Sequence, residues 1–390
     1  MSQAGFQHQL VVEWDHDACE TIRANQRRNI EPVLHWPLVE GDVRSVDFAS
    51  MEGKVEVISG GPPCQPFSLG GKHRGHEDAR NMFPAVFQAV RGARPKAVLV
   101  ENVKGLLRQS FASYFEYIVL QLTYPEIIRR GGEEWTNHIA RLEQHHTSLK
   151  KEHGLTYNVV FRLLNAANYG VPQRRERVIL VGIRSDLEAH WSFPDPTHSQ
   201  LALLYDQFVS GEYWERHEVA KADRPEPPRK LVGRLDRFGS VLPLMDESPW
   251  LTVRDAIHDL PDPRPSMNGA AGCAVWANHV FNPGARAYPG HTGSPLDEPA
   301  KTLKAGDHGV PGGENMLAHP DGAVRYFTVR EAARLQTFPD EYEFSGSWSE
   351  IMRQLGNAVP VRLAAVVASS LKQHLEEAER GRTRENPRAV

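Results

Sequence analysis

Residues 57–71 read VISGGPPCQPFSLGG, a short apolar run that breaks into two glycines, two prolines and a single cysteine, Cys64. A thiol with a reference pKa of about 8.5 is only slightly ionised at neutral pH, so a nucleophilic cysteine needs a polar, partly open setting. The end of a strand provides one. Gly60 and Gly61 let the backbone come close to a ligand, and the flanking prolines stiffen the loop. A lone cysteine is ordinarily a buried structural thiol; the Gly-Gly-Pro-Pro context favours the nucleophile here. A second reactive group ends the apolar run AVLVEN, where Glu101 is followed by Asn102. A half-buried carboxyl can keep its proton at neutral pH and hydrogen-bond or protonate a ring nitrogen. The other reading of Glu101 is a helix-capping or salt-bridged residue.

Both groups depend on elements that bring them to one place. Residues 9–190 alternate β-branched runs with longer helical patterns, the signature of βαβ units and a mainly parallel α/β sheet. The runs are QLVVE (9–13), VEVIS (55–59), AVLVE (97–101), NVVFRLL (158–164) and RVILVGIR (177–184). Ligands bind beyond the carboxyl ends of such strands, so Glu13, the loop after Ser59 and Glu101 are expected on one rim. From about residue 191 strands become hard to find and Pro and Gly thicken, which marks a second domain. Thr328 and Glu331 have capping-box spacing. An amphipathic helix is expected over 361–377, with a charged, frayed end after it.

The bulk properties suit a large soluble protein. The 390 residues are 40% hydrophobic and 24% charged, and no apolar run is long enough to span a membrane. The N-terminus lacks the features of a secretory signal, which places the chain in the cytoplasm. Cys19, Cys64 and Cys273 are widely spaced and form neither a disulfide framework nor a metal-ligand cluster. With a net charge of −4, any nucleic-acid surface must be local. Candidate patches are 23–28, 173–177 and 229–237.

Five stretches in order, GGPPCQPFS, VENV (100–103), YGVPQRRERVILVG (169–182), FTVREAARLQTFPD (327–340) and GNAVPV (356–361), resemble the motifs of DNA (cytosine-5)-methyltransferases. The resemblance covers nearly the whole chain. It implies a Rossmann-like S-adenosylmethionine-dependent methyltransferase sheet over 1–194, a smaller, irregular target-recognition domain over 195–320, a return to the catalytic domain over 321–378 and a flexible tail over 379–390. It further implies that the Cys64 thiolate attacks carbon 6 of a cytosine swung out of duplex DNA. Glu101 would contact ring nitrogen 3 and the exocyclic amine, and Asn102 would brace the cysteine loop. Arg175 is expected near the cytosine carbonyl and Arg177 in a bracing role, with Gln173 completing the motif. The segment 68–81 would close over the flipped base. For the cofactor, Glu13 would bind the ribose, Trp14 stack on the adenine and Asp42 accept from its amino group beside Val43. Pro63 and Met82 would line that pocket and Asn357 complete the methionine end.

One part of the family pattern is missing: the first strand and the glycine-rich loop, DLFxGxGG, that cradles the methionine portion. The chain opens where the tail of the next helix is expected. A central strand would then be lost, leaving unpaired backbone and an uncovered apolar face. A truncated sequence with an intact active counterpart is the expectation, and a catalytically impaired DNA-binding remnant is the alternative function. The resemblance also implies a monomeric modification enzyme, with a cognate restriction endonuclease acting on the same site.

Overall fold

The computed structural model describes residues 1–63, 81–148, 154–188, 190–227, 246–264, 276–305 and 315–385. Cys64, most of the expected closing segment, and the patch at 229–237 lie outside them. The main sheet has four strands in the order β3-β4-β6-β5. These are preceded by a separate parallel pair, β1 (Val11–Glu13) and β2 (Leu38–Glu40), joined through the helix α1 (His16–Arg27). β3 (Val57–Gly60) leads through α2 (Phe83–Ala93) to β4 (Ala97–Val103), which pairs with it in parallel. After α3 (Ala112–Thr123) and α4 (Trp135–Thr147), β5 (Tyr157–Asn165) and β6 (Glu176–Arg184) complete the sheet.

The sheet is less parallel than its sequence pattern suggests, because β6 runs antiparallel to both β4 and β5. A parallel β5–β6 pair would need a crossover of a dozen or more residues, usually a helix. The connection 166–175 is shorter and holds only a 3-10 turn, Ala166–Tyr169. Strand β6 is buried along its whole interior. Gly182 faces Val98 across β4, and a Cβ there would lie 2.9 Å from Val98 Cγ1. One face of the sheet packs under α2, α3 and α4 through Phe83, Val98, Val100, Tyr114, Ile118 and Leu142. The other packs Ile179, Val181 and Ile183 against Leu363, Val367 and Leu371 of the last helix. That helix runs from Val361 to Glu385, beyond the expected stop at 377. Lys96 at the start of β4 pairs with both Glu56 and Glu379, which holds the extra turns against the sheet.

Among the described residues no strand joins β1 to β3. The residues of β1 and β3 are half-buried or exposed, whereas those of β4 and β6 are mostly buried. Buried strands normally have both faces covered in parallel sheets, so the apolar side chains of Val11, Val12, Val57 and Ile58 are incompletely packed.

Beyond residue 190 strands are two or three residues long. Val253, Leu303 and Leu317 share a core with Phe327, Leu335 and Leu355, so the expected boundary at 320 is crossed by continuous packing. The capping box forms as the sequence suggests. Thr328 Oγ1 accepts from Glu331 N at 3.2 Å, and Glu331 Oε2 accepts from Thr328 N at 2.8 Å. Arg325 neutralises the buried Glu331 carboxylate through two hydrogen bonds of 2.6 and 2.7 Å.

Candidate active site

The carboxyl ends of β3 and β4 place Gly61 against Glu101, where a Cβ on Gly61 would come within 3.0 Å of Glu101 Oε2. The first half of the Gly-Gly-Pro-Pro loop therefore lies directly on the carboxyl, which would have to give by a few tenths of an ångström to admit a side chain at Gly61. Asn102, 4% exposed, donates from Nδ2 to Pro62 O at 2.9 Å and accepts from Val103 N at 2.9 Å. Its amide nitrogen thereby fixes the main chain two residues before Cys64.

Glu101 is itself salt-bridged, at 2.7 Å from Arg177 Nε, and both side chains are nearly closed off from water. Burial pushes the Glu101 carboxyl above the ordinary range, against the pull of Arg177 and then Arg175. The strand register explains the pairing. In the antiparallel β4–β6 ladder Val103 faces Arg177 and Glu101 faces Ile179, so Arg177 and Glu101 are diagonal neighbours on one face.

Arg175 precedes β6, and although its charge also acts on Glu101, its hydrogen bonds go to main-chain carbonyls rather than to the carboxyl. It is fully buried, and Nη1 donates to Leu303 O at 2.9 Å. Its Nη2 donates to Gly356 O at 2.5 Å and Ala358 O at 2.8 Å. The guanidinium thus braces main-chain carbonyls, while Arg177 stands beside Glu101. Gln173 makes the same joint tighter, accepting from Leu303 N at 3.1 Å and donating to Leu335 O at 3.2 Å. Gly356 is where the two segments touch, since a Cβ there would lie 2.1 Å from Ala305 N. Neither Leu303 nor Gly356 stands out as a partner of QRRER by sequence spacing.

Four of the expected cofactor residues, Glu13, Trp14, Asp42 and Val43, lie together on a second rim. Because β1 and β2 are parallel, Glu13 and the turn at Asp42 lie at the same strand ends. Glu13 Oε1 accepts from Trp14 N and Asp15 N, each at 2.8 Å, which orients the carboxylate. Trp14 is 77% exposed, an uncovered indole face of the kind an adenine ring stacks on. Asp42 caps the turn that carries Val43, and Arg44 holds its carboxyl down to about 2; hydrogen bonds from Arg44 engage both oxygens. Asp15 binds Arg353 at 2.7 Å, tying this rim to the helix Trp348–Asn357, whose last residue, Asn357, is exposed. Pro63 is exposed, and Met82 is half-buried at the start of α2. An exposed indole beside an oriented carboxylate fits the adenosine half of S-adenosylmethionine. The thiol of Cys19 under this rim is no rival nucleophile: burial pushes it up to about 11, and it donates to Glu13 O at 3.4 Å.

The family described as C-5 cytosine-specific DNA methylase matches residues 1–124, 136–238 and 282–373. The chain belongs to that family. Among curated relatives, the Type II methyltransferase M.PspPI of Psychrobacter sp. (strain TA137) is 31% identical over 387 residues, 97% of this chain and 76% of its own. M.Eco47II of Escherichia coli is 31% identical over 381 residues, with the same coverage of 97% and 76%. Among solved structures, a candidate DNA modification methyltransferase encoded within an E. coli prophage has a TM-score of 0.55 at 20% identity, covering 96% of this chain and 94% of that one. A Spodoptera frugiperda DNMT2 mutant has a TM-score of 0.51 at 16% identity, covering 96% and 94%. These structural likenesses carry the fold, an α/β methyltransferase sheet. As a C-5 cytosine-specific methylase the chain is a DNA (cytosine-5)-methyltransferase with S-adenosylmethionine as its methyl donor. No helix among the described residues is long and apolar enough to cross a membrane.

Proposed function

We propose that this methyltransferase acts on a cytosine extruded from a specific duplex DNA sequence, with Cys64 as nucleophile and Glu101 as the group that holds the base. The observation that carries this reading is the buried Glu101–Arg177 pair lying on Gly61, three residues before Cys64. S-adenosylmethionine would supply an electrophilic methyl group, its S–methyl bond breaking with the electron pair left on sulfur, so that S-adenosylhomocysteine is the leaving group. The Cys64 thiolate adds to carbon 6, and the electron pair of the 5,6 double bond becomes available at carbon 5. Glu101 in its protonated form donates to ring nitrogen 3, where negative charge develops, while its other oxygen accepts from the exocyclic amine. Once carbon 5 carries the methyl group, a base removes the carbon 5 proton, the double bond re-forms and the carbon 6–sulfur bond breaks. Asn102 braces the loop before Cys64, Arg177 orients Glu101, and Arg175 fixes the approach of segment 303–305 to segment 356–358.

Glu13, Trp14, Asp42 and Val43 hold the adenosine portion, Pro63 and Met82 line its pocket, and Asn357 serves the methionine end. Residues 195–320 read the sequence, anchored through the bridge between Gln173 and Ala300. The Type II methyltransferase relatives support a modification role; in this reading the enzyme is a cytoplasmic monomer that shields its site from a partner endonuclease. Incubation with methyl-tritiated S-adenosylmethionine and duplex DNA, followed by digestion to nucleosides, tests the reading. Label is expected in 5-methyldeoxycytidine. Label in an exocyclic N-methyl base would contradict it, and DNA retention without transfer would favour the binding remnant.

A further inference from the structure

The two ends of the cofactor site sit on parts of the fold that the main sheet does not join. Glu13 and Trp14 lie at the end of β1, which pairs only with β2 among the described residues. Asn357 ends the helix Trp348–Asn357. Their spacing is set instead through side chains of α1 and of that helix. Asn25 of α1, fully buried, donates from Nδ2 to Glu343 O at 2.6 Å and accepts from Glu343 N at 3.0 Å. Thr21, one turn earlier, accepts from Ser345 N at 3.1 Å. Segment 343–345 is thus paired to α1 much as a neighbouring strand would be, and two residues on Ser347 caps the helix.

An ion pair closes this path beside the cofactor rim. Arg353 Nη2 donates to Asp15 Oδ2 at 2.7 Å, with both side chains largely shielded from water. Asp15 Oδ1 accepts from Ala18 N at 2.9 Å to cap α1, and Asp15 N donates to Glu13 Oε1 at 2.8 Å. Arg353 and Asn357 stand one turn apart on one helix face. Within its own helix Arg353 already has Glu350, whose Oε2 accepts from Nε at 2.9 Å, so the bond to Asp15 is the one that spans the two segments. We propose that the Arg353–Asp15 pair sets the spacing between the adenosine and methionine ends of the S-adenosylmethionine site, which makes Arg353 a positioning residue for methyl transfer. This inference rests on Glu13 and Trp14 taking the adenosine and Asn357 the methionine end.

Calorimetric binding of two ligands to the full-length protein tests it. S-adenosylhomocysteine spans both ends, whereas methylthioadenosine keeps the adenosine and the sulfur but lacks the amino-acid portion. Arg353→Met is expected to weaken S-adenosylhomocysteine about tenfold, since a ligand that must meet two subsites loses affinity when they are no longer held in register. Methylthioadenosine should bind as it does to the wild type. Asp15→Asn keeps the helix cap and should give the same selective loss, with the double variant no weaker than either single one. Glu350→Gln should leave both ligands unaffected. Equal weakening of the two ligands, no change in either, additive losses in the double variant, or a loss in Glu350→Gln as large as that in Arg353→Met would each overturn the proposal. A wild-type chain that binds neither ligand, a Trp14→Ala variant that spares methylthioadenosine, or an Asn357→Ala variant that spares S-adenosylhomocysteine would instead sink the site assignment beneath it.

Discussion

Cys64→Ala is expected to lower methyl transfer to background, a fall of about 10⁴-fold or more, the scale on which an enzyme feels the loss of a covalent nucleophile. The size follows from the substrate. Carbon 5 of an intact cytosine ring is a poor nucleophile, and only addition at carbon 6 makes it electron-rich, so no weaker interaction replaces the thiolate. DNA affinity should survive, since phosphate contacts and the Glu101 pocket do not need the sulfur. Tritium transfer and gel retardation on one preparation separate the two effects. Serine should do little better, because a hydroxyl at neutral pH has almost no anionic fraction.

Glu101→Gln is expected to lower kcat by about 10²–10³-fold, the range for losing one buried group aimed at developing charge. An amide can still donate from nitrogen or accept at oxygen, but it has no acidic proton to transfer toward ring nitrogen 3. The change also alters pH dependence. Burial raises the Glu101 carboxyl, so the folded protein keeps this proton beyond the unfolded carboxylate range of about 4.3. The stability contributed by that proton is fully present below the unfolded value and is lost as pH rises through the folded one. On the proposed mechanism the rate follows the same group: transfer requires Glu101 protonated and Cys64 ionised, and these move in opposite directions with pH. A bell-shaped profile of kcat is therefore expected. In Glu101→Gln the limb that falls with rising pH should vanish while the thiolate limb remains.

Parts of this site were legible in the sequence because they depend on local pattern. The run AVLVEN puts a carboxylate and an amide at the end of an apolar strand, and β4 ends there. TVRE has the spacing of a capping box, and Thr328 and Glu331 form one. What escaped depends on register or on contacts between distant segments. RVILVGIR is apolar on both faces, so it reads alike whether it runs parallel or antiparallel to its neighbours. Only the pairing of Val103 with Arg177 reveals which arginine of QRRER meets Glu101. Arg175 finds its carbonyl partners more than a hundred residues away. Gly356 is needed because another backbone crosses it at Ala305, and no local spacing signals that.

The proposed reaction turns on a bond between the sulfur of Cys64 and carbon 6 of a cytosine. Duplex DNA with 5-fluorocytosine at the target position leaves no proton at carbon 5, so elimination stops and the enzyme stays attached. After incubation with S-adenosylmethionine, digestion and mass spectrometry, a methylated fluorocytosine adduct is expected on the peptide containing Cys64. A crosslink on Cys19 or Cys273, or methylated product with no adduct at all, would contradict it.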